Sequence, residues 1–186
     1  NPVSIPRWPT RGGIYESLYL NNPITTDWVP WLATNYKWEN NNKKLLFTIR
    51  PNVQWSDGKP FSAHDVAYTL NLWNQYPALD TRNAWEYLKS VVAVSDTLVQ
   101  IDFKRIYVPG FEAIAGAPII PKHIWEELKD PLDFSNPNPV GTGPFTEILR
   151  FNTQVWELGK NNNYWQAGKP YVEKLIFPTF STNEQT

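Results

Sequence analysis

The chain has two histidines, His64 and His123, and no cysteine. Thiolate nucleophiles, disulfides and cysteine-based zinc sites are therefore excluded. Each histidine stands early in a predicted helix, with no sequence-local set of partners for a metal, so a surface or capping position is expected for both. No Gly-x-Ser-x-Gly elbow occurs. Gly141-Thr142-Gly143 has the outline of a phosphate loop but runs into Pro144, not into Gly-Lys-Ser/Thr and a helix, so nucleotide binding is not expected. Glycoside hydrolysis would need two carboxylates flanking a sugar, and the candidates are Glu16, Asp27, Asp57, Asp65 and Glu86. Asp57 and Asp65 already have turn and capping roles, and catalysis is not expected.

The aromatic residues point elsewhere. They make up 15% of the chain, including 10 tryptophans. Phe47, Phe61, Trp73, Phe103, Trp125 and Phe177 occupy apolar positions of predicted elements and are expected in the core. Trp8, Trp28, Trp31 and Trp85 lie in or beside segments rich in Pro, Asn and Arg, without periodicity. An indole on a loop can offer a flat face to a ligand, with Asn and Arg beside it as hydrogen-bond donors. That pairing suits sugars, whose C–H faces stack on rings while their hydroxyls bond to planar amides. Trp8, Arg11, Asn21, Trp28 and Trp85 are the expected ligand-binding residues. A peptide would instead want charged anchors for its termini, for which Arg7, Arg11 and Glu16 are available.

Something must position these side chains. Five prolines in the first 30 residues, Pro2, Pro6, Pro9, Pro23 and Pro30, leave room for only one short helix or strand, over residues 14–20. Residues 33–38 read as extended, and residues 44–50 alternate, with Leu45, Phe47 and Ile49 on one side and Lys44, Thr48 and Arg50 on the other. That predicts a hairpin around the Asn-Lys turn at 40–43. Trp55-Ser56-Asp57-Gly58-Lys59-Pro60 is a tight turn. A helix follows, with Ser62 as N-cap, Asp65 as its capping partner, Phe61 stapled onto Val66, and Val66, Leu70 and Trp73 on one face; Pro77 ends it. Residues 90–94 and 98–103 form a second hairpin. A short helix is expected over 122–129 behind Pro121, with Ile124, Trp125 and Leu128 inward. Further strands are expected at 145–150, 153–159 and 172–178. The fold class is α+β, strand-rich, with few short helices.

Composition narrows the function. A length of 186 residues is enough to bury a core. Seventeen basic residues against 18 acidic ones leave a net charge of −1, which argues against nucleic acid as a partner. No apolar run approaches the roughly 20 residues that span a bilayer. Methionine is absent, so a processed or truncated chain is expected.

Six segments in order then resemble one family: Ile14-Tyr15-Glu16-Ser17-Leu18; Pro30-Trp31-Leu32-Ala33; residues 47–66 (FTIRPNVQWSDGKPFSAHDV); residues 119–125 (IIPKHIW); residues 139–145 (PVGTGPF); and Asn163-Tyr164-Trp165 with Gly168-Lys169-Pro170. Together they resemble the solute-binding proteins of ABC importers, in the group that binds oligopeptides, dipeptides, nickel and cello-oligosaccharides. Ser17 stands where the family often has another residue. The resemblance covers only the N-terminal portion of such proteins. It implies one strand-rich lobe of a type II periplasmic-binding-protein architecture: a loop-rich segment near the cleft (1–30), a small α+β domain (31–150), and strands leading toward a missing lobe (151–186). It further implies a monomeric receptor, periplasmic or extracellular, with surface anchoring as one option. Such a receptor needs no cofactor and does no catalysis. It closes around a small-molecule ligand and delivers it to a membrane permease. Loop Trp8, Trp28 and Trp85 favour an oligosaccharide of the cello or manno type, with an oligopeptide as the alternative. A carbohydrate-active enzyme domain and a protein-interaction domain are the remaining, less favoured readings.

Overall fold

Asparagine explains the first turns of the chain. The computed structural model describes residues 10–178. An irregular turn at Thr10–Ile14 leads to strand β1 (Tyr19–Asn21), which pairs antiparallel with β2 (Trp28–Pro30). The Asn22 side chain accepts from the backbone N–H of Ile24 and closes the loop between them. Strands β3 (Ala33–Glu39) and β4 (Lys44–Ile49) form the expected hairpin. Its turn places Asn40, Asn41 and Asn42 at φ values of 49°, 51° and 59°. Asparagine tolerates this left-handed region better than most residues, which accounts for the run of three.

Helix α1 (Ala63–Gln75) starts where the sequence predicts. The Ser62 side chain accepts from the chain of the first turn, and Asp65 reaches back to the Ser62 N–H at 2.9 Å, closing a capping box. The helix ends before a 3-10 turn opened by Pro77. A second 3-10 turn, Ala84–Glu86, precedes β5 (Leu88–Ser95) and β6 (Leu98–Phe103). The central sheet is antiparallel in the order β3-β4-β6-β5. Its inward row, Leu45, Phe47, Ile49, Val99, Ile101 and Phe103, is buried, as are Val66, Leu70 and Trp73 of α1. The period of two on the strands meets the helical period here, which is why the core forms between these elements.

The remainder is short pieces: α2 (Gly110–Ala115), α3 (Lys122–Trp125), and a separate antiparallel sheet of β7 (Glu147–Phe151), β8 (Val155–Gly159) and β9 (Lys174–Pro178). Helix α3 stops after Trp125, well short of the predicted 129. Helix α2 is not anticipated by the sequence reading, because Pro109 and Gly110 at its start read as loop. Residues 15–18 are neither the predicted helix nor a full strand. They are a buried thread with partners on opposite sides: Ile119 N–H donates to the Glu16 carbonyl, and Trp31 and Ala33 N–H donate to the Leu18 carbonyl. Gly141 and Gly143 press against Gly13 and Ile14, which lead into this thread. A Cβ on either would collide with the carbonyl of Ile14 or Gly13. Close backbone approach is therefore the reason for the Gly-Thr-Gly sequence, with no phosphate in it.

Candidate ligand-binding site

The C-terminal end of α1 organises the surface of interest. Beyond it, the buried carboxylate of Asp80 accepts from the backbone N–H groups of Ala84 at 2.7 Å and Trp85 at 2.8 Å. Both of its oxygens are thus used to hold the 3-10 turn. The turn throws Arg82 across to α2, where its guanidinium donates to the Glu112 carbonyl at 3.1 Å. Arg11, from the irregular turn before β1, donates to the Gly116 carbonyl at the end of the same helix. The two arginines share a notch of about 170 Å³ walled by Trp73, Asp80, Gly116 and Pro118.

The electrostatics of this notch are unbalanced. Among the described residues neither guanidinium makes an ion pair with a carboxylate. Partial burial lowers the pKa of Arg11, and the charge of Arg82 lowers it further. Two cations held close, anchored only on carbonyls, form a place where an anion is stabilised.

Trp28 stands beside this notch. Its ring lies against the Gly116 backbone and meets Phe111 edge-on at 5.7 Å. Asn21 is opposite Trp28 in the β1–β2 ribbon, and its amide donates to the Thr26 carbonyl at 3.3 Å. Trp85 is on the other side of Trp73 and Asp80, on a second notch of about 330 Å³. Its indole N–H is spent on the Leu70 carbonyl at 2.7 Å. The structure thus gathers Arg11, Asn21 and Trp28 on one side and sets Trp85 on the other. Trp8 lies outside the described residues. Arg82 and Asn83 are absent from the sequence-based selection. The available signal was a polar turn, Asp80-Thr81-Arg82-Asn83, directly after the helix whose end Pro77 marks.

Glu16 has a different role from either one considered for it. Its side chain is buried and accepts three hydrogen bonds: from the Trp31 indole at 2.7 Å, the Tyr164 hydroxyl at 2.9 Å and the Trp165 indole at 2.9 Å. Trp31 and Trp165 also meet edge-on at 5.4 Å, and the Arg50 guanidinium stacks over Trp165 at 4.8 Å. Burial pushes the Glu16 carboxyl up to about 7, against the pull of these donors and of the Thr142 hydroxyl. Glu16 is out of reach of a ligand, and Trp31 serves it as a donor. His123 pairs with Asp57 at 2.8 Å and His64 with Asp96 at 3.3 Å, so both imidazoles are surface partners of carboxylates. No group of three His, Asp or Glu side chains among the described residues is arranged to hold a metal ion.

Residues 27–186 match the bacterial extracellular solute-binding proteins, family 5 Middle, and the chain belongs to this family. It is 31% identical over 162 residues to the nickel-binding periplasmic protein of Escherichia coli, covering 80% of this chain and 29% of that one. It is 29% identical over 138 residues to the oligopeptide-binding protein AppA of Bacillus subtilis, covering 69% of this chain and 25% of that one. Among solved structures it superposes with a TM-score of 0.86 and 29% identity on a mannohexaose-bound periplasmic oligopeptide-binding protein of an oligopeptide ABC transporter from Thermotoga maritima, covering 95% of this chain and 34% of that one. The chain therefore spans about a third or less of the length of these relatives. No helix among the described residues is long and apolar enough to cross a membrane.

Proposed function

We propose that this chain is the N-terminal lobe portion of the substrate-binding component of an ABC importer, that it works outside the cytoplasmic membrane, and that its ligand is an oligopeptide. Of the described residues, 10–30 border the cleft, 31–150 are a small α+β domain, and 151–178 lead toward a second lobe. Closure of the two lobes on the ligand delivers it to a membrane permease, with no catalysis. The receptor is monomeric, periplasmic or held at the cell surface.

The observation that carries the ligand class is the arginine pair. Arg11 and Arg82 converge without a carboxylate partner among the described residues. A peptide brings carboxylates to such a place, at its C-terminus or on acidic side chains, and two guanidinium groups meet them with charge-assisted bonds. The loop tryptophans speak less strongly for a sugar than their sequence context suggests, because the Trp28 ring is packed against Phe111 and Trp31 is bound to Glu16. The oligosaccharide remains the second reading, supported by the mannohexaose in the Thermotoga relative.

Calorimetric titration of the full-length receptor decides between them. Acidic peptides are expected to bind, and Arg82→Ala to weaken them by about 10-fold to 100-fold, the size of a lost charged hydrogen bond. Binding of manno- or cello-oligosaccharides alone, indifferent to Arg82, would overturn the peptide reading. Binding of neither class would overturn the receptor reading.

A further inference from the structure

The second notch differs in chemistry from the first, although the two share Trp73 and Asp80 as walls. It holds no cation. Its aromatic surface comes from Trp73 and Trp85, and its rim from Asn74, Asn83 and Glu86. Trp85 is fixed in place: its backbone N–H is bonded to Asp80 and its indole N–H to Leu70, so its only polar side-chain atom is turned inward and carbon surface is what it offers outward. The three rim side chains are exposed. Asn83 sits at φ 51° just before the 3-10 turn, and its side chain makes no capping bond to that turn. Neither side-chain amide is engaged in a hydrogen bond among the described residues, and Glu86 has no ion-pair partner there.

An apolar indole floor with two amides and a carboxylate around it fits a ring that is apolar on its face and hydroxylated at its edge. The cationic notch begins at the adjacent residue, Arg82. We propose that the notch at Trp73, Trp85, Asn74, Asn83 and Glu86 is a saccharide subsite, and that the receptor takes a ligand in which a sugar ring is carried on an acidic peptide. This rests on the arginine-pair reading above and extends it. The ring stacks on the half-buried Trp85 indole, its hydroxyls donate to Glu86 and to the amide oxygens of Asn74 and Asn83, and the peptide carboxylate lies on Arg82 and Arg11. One ligand then satisfies both notches, which neither a plain peptide nor a neutral oligosaccharide does.

The test compares the tripeptide Ala-Asn-Glu with the same tripeptide bearing N-acetylglucosamine on its asparagine amide, titrated into the full-length receptor by calorimetry. The glycosylated form is expected to bind about ten-fold tighter, the worth of one ring contact and a hydrogen bond. Asn83→Gly, which keeps the left-handed backbone, and Glu86→Gln, an exposed change, are expected to reduce that advantage while leaving the plain tripeptide unaffected. Trp85→Ala, checked by circular dichroism, is expected to abolish it. Arg82→Ala weakens both forms alike. Equal affinities for the two forms, with the plain tripeptide still bound and still sensitive to Arg82, would overturn the saccharide subsite and leave the peptide reading intact. Binding of neither form overturns the peptide reading and this subsite with it.

Discussion

Glu16→Gln isolates one buried charge whose effect can be worked out in advance. In the folded chain burial raises the carboxyl from 4.5 to about 7. A carboxyl whose folded pKa lies above its unfolded one favours folding at low pH. That contribution is complete below about pH 4.5 and is lost as the pH rises through about 7. The shift corresponds to about 3 kcal/mol across this window. Glutamine does not titrate, so the variant lacks this slope. The amide oxygen of the new side chain would still accept from Trp31 and Tyr164, since both bond to Oε1 of Glu16 in the native protein. Its NH₂ would face the Trp165 indole N–H, which now bonds to Oε2, and a donor against a donor costs about 1–3 kcal/mol. The variant is therefore expected to be less stable at pH 5, with the deficit shrinking toward pH 8. The assay is urea unfolding followed by tryptophan fluorescence at pH 5, 6, 7 and 8, read as the difference between native and variant. Every other side chain is common to both proteins and drops out of the difference. A constant difference from pH 5 to pH 8 would refute the buried-carboxyl reasoning.

Three further outcomes follow from other parts of the fold. Ser62→Ala removes the acceptor of the α1 capping box and is expected to cost about 1 kcal/mol, seen as a lower urea midpoint with unchanged slope. Gly141→Ala forces a Cβ onto the Ile14 carbonyl and is expected to destabilise by about 2 kcal/mol or more, because the atom it meets is backbone and cannot swing aside; a wild-type melting curve would contradict that packing. Raising salt from low to molar concentration should weaken an acidic peptide several-fold while leaving a neutral oligosaccharide unchanged, since only the arginine notch responds to screening.

What the sequence made legible was local. The start of α1 was readable because a capping box is written within four residues, Ser62 to Asp65, and the two hairpins because strand alternation and short polar turns, asparagine in the first and Ser-Asp-Thr in the second, are short-range patterns. Helix α2 was obscured by Pro109 and Gly110, whose local preferences were overruled by the burial of Phe111 and Ile114. The thread at 15–18 was obscured for another reason. Its partners, at 31–33 and 119, lie far along the chain, and no periodicity records a segment held from opposite sides.

The same distinction separates the two kinds of candidate residue. Tryptophan in a polar loop is conspicuous in a sequence, so Trp8, Trp28, Trp31 and Trp85 drew attention, yet a loop in sequence can be a packed surface in the fold. Trp31 is bound to Glu16, and Trp28 is seated on Phe111. Arg82 is inconspicuous in a chain of 17 basic and 18 acidic residues. Its importance comes from where it is placed: Asp80 holds the backbone of the turn with both carboxylate oxygens and makes no ion pair with the arginine two residues on. Arg82 and Arg11 therefore reach α2 without an ion pair among the described residues, and a net charge of −1 over the whole chain hides a notch in which two guanidinium groups outnumber the single carboxylate of Asp80. On the proposed receptor reading, this is the stronger signal. An indole contributes to affinity only when a ring fits it, whereas a pair of guanidinium groups that outnumbers its carboxylate favours an anion of almost any shape and so defines the ligand's charge before its outline.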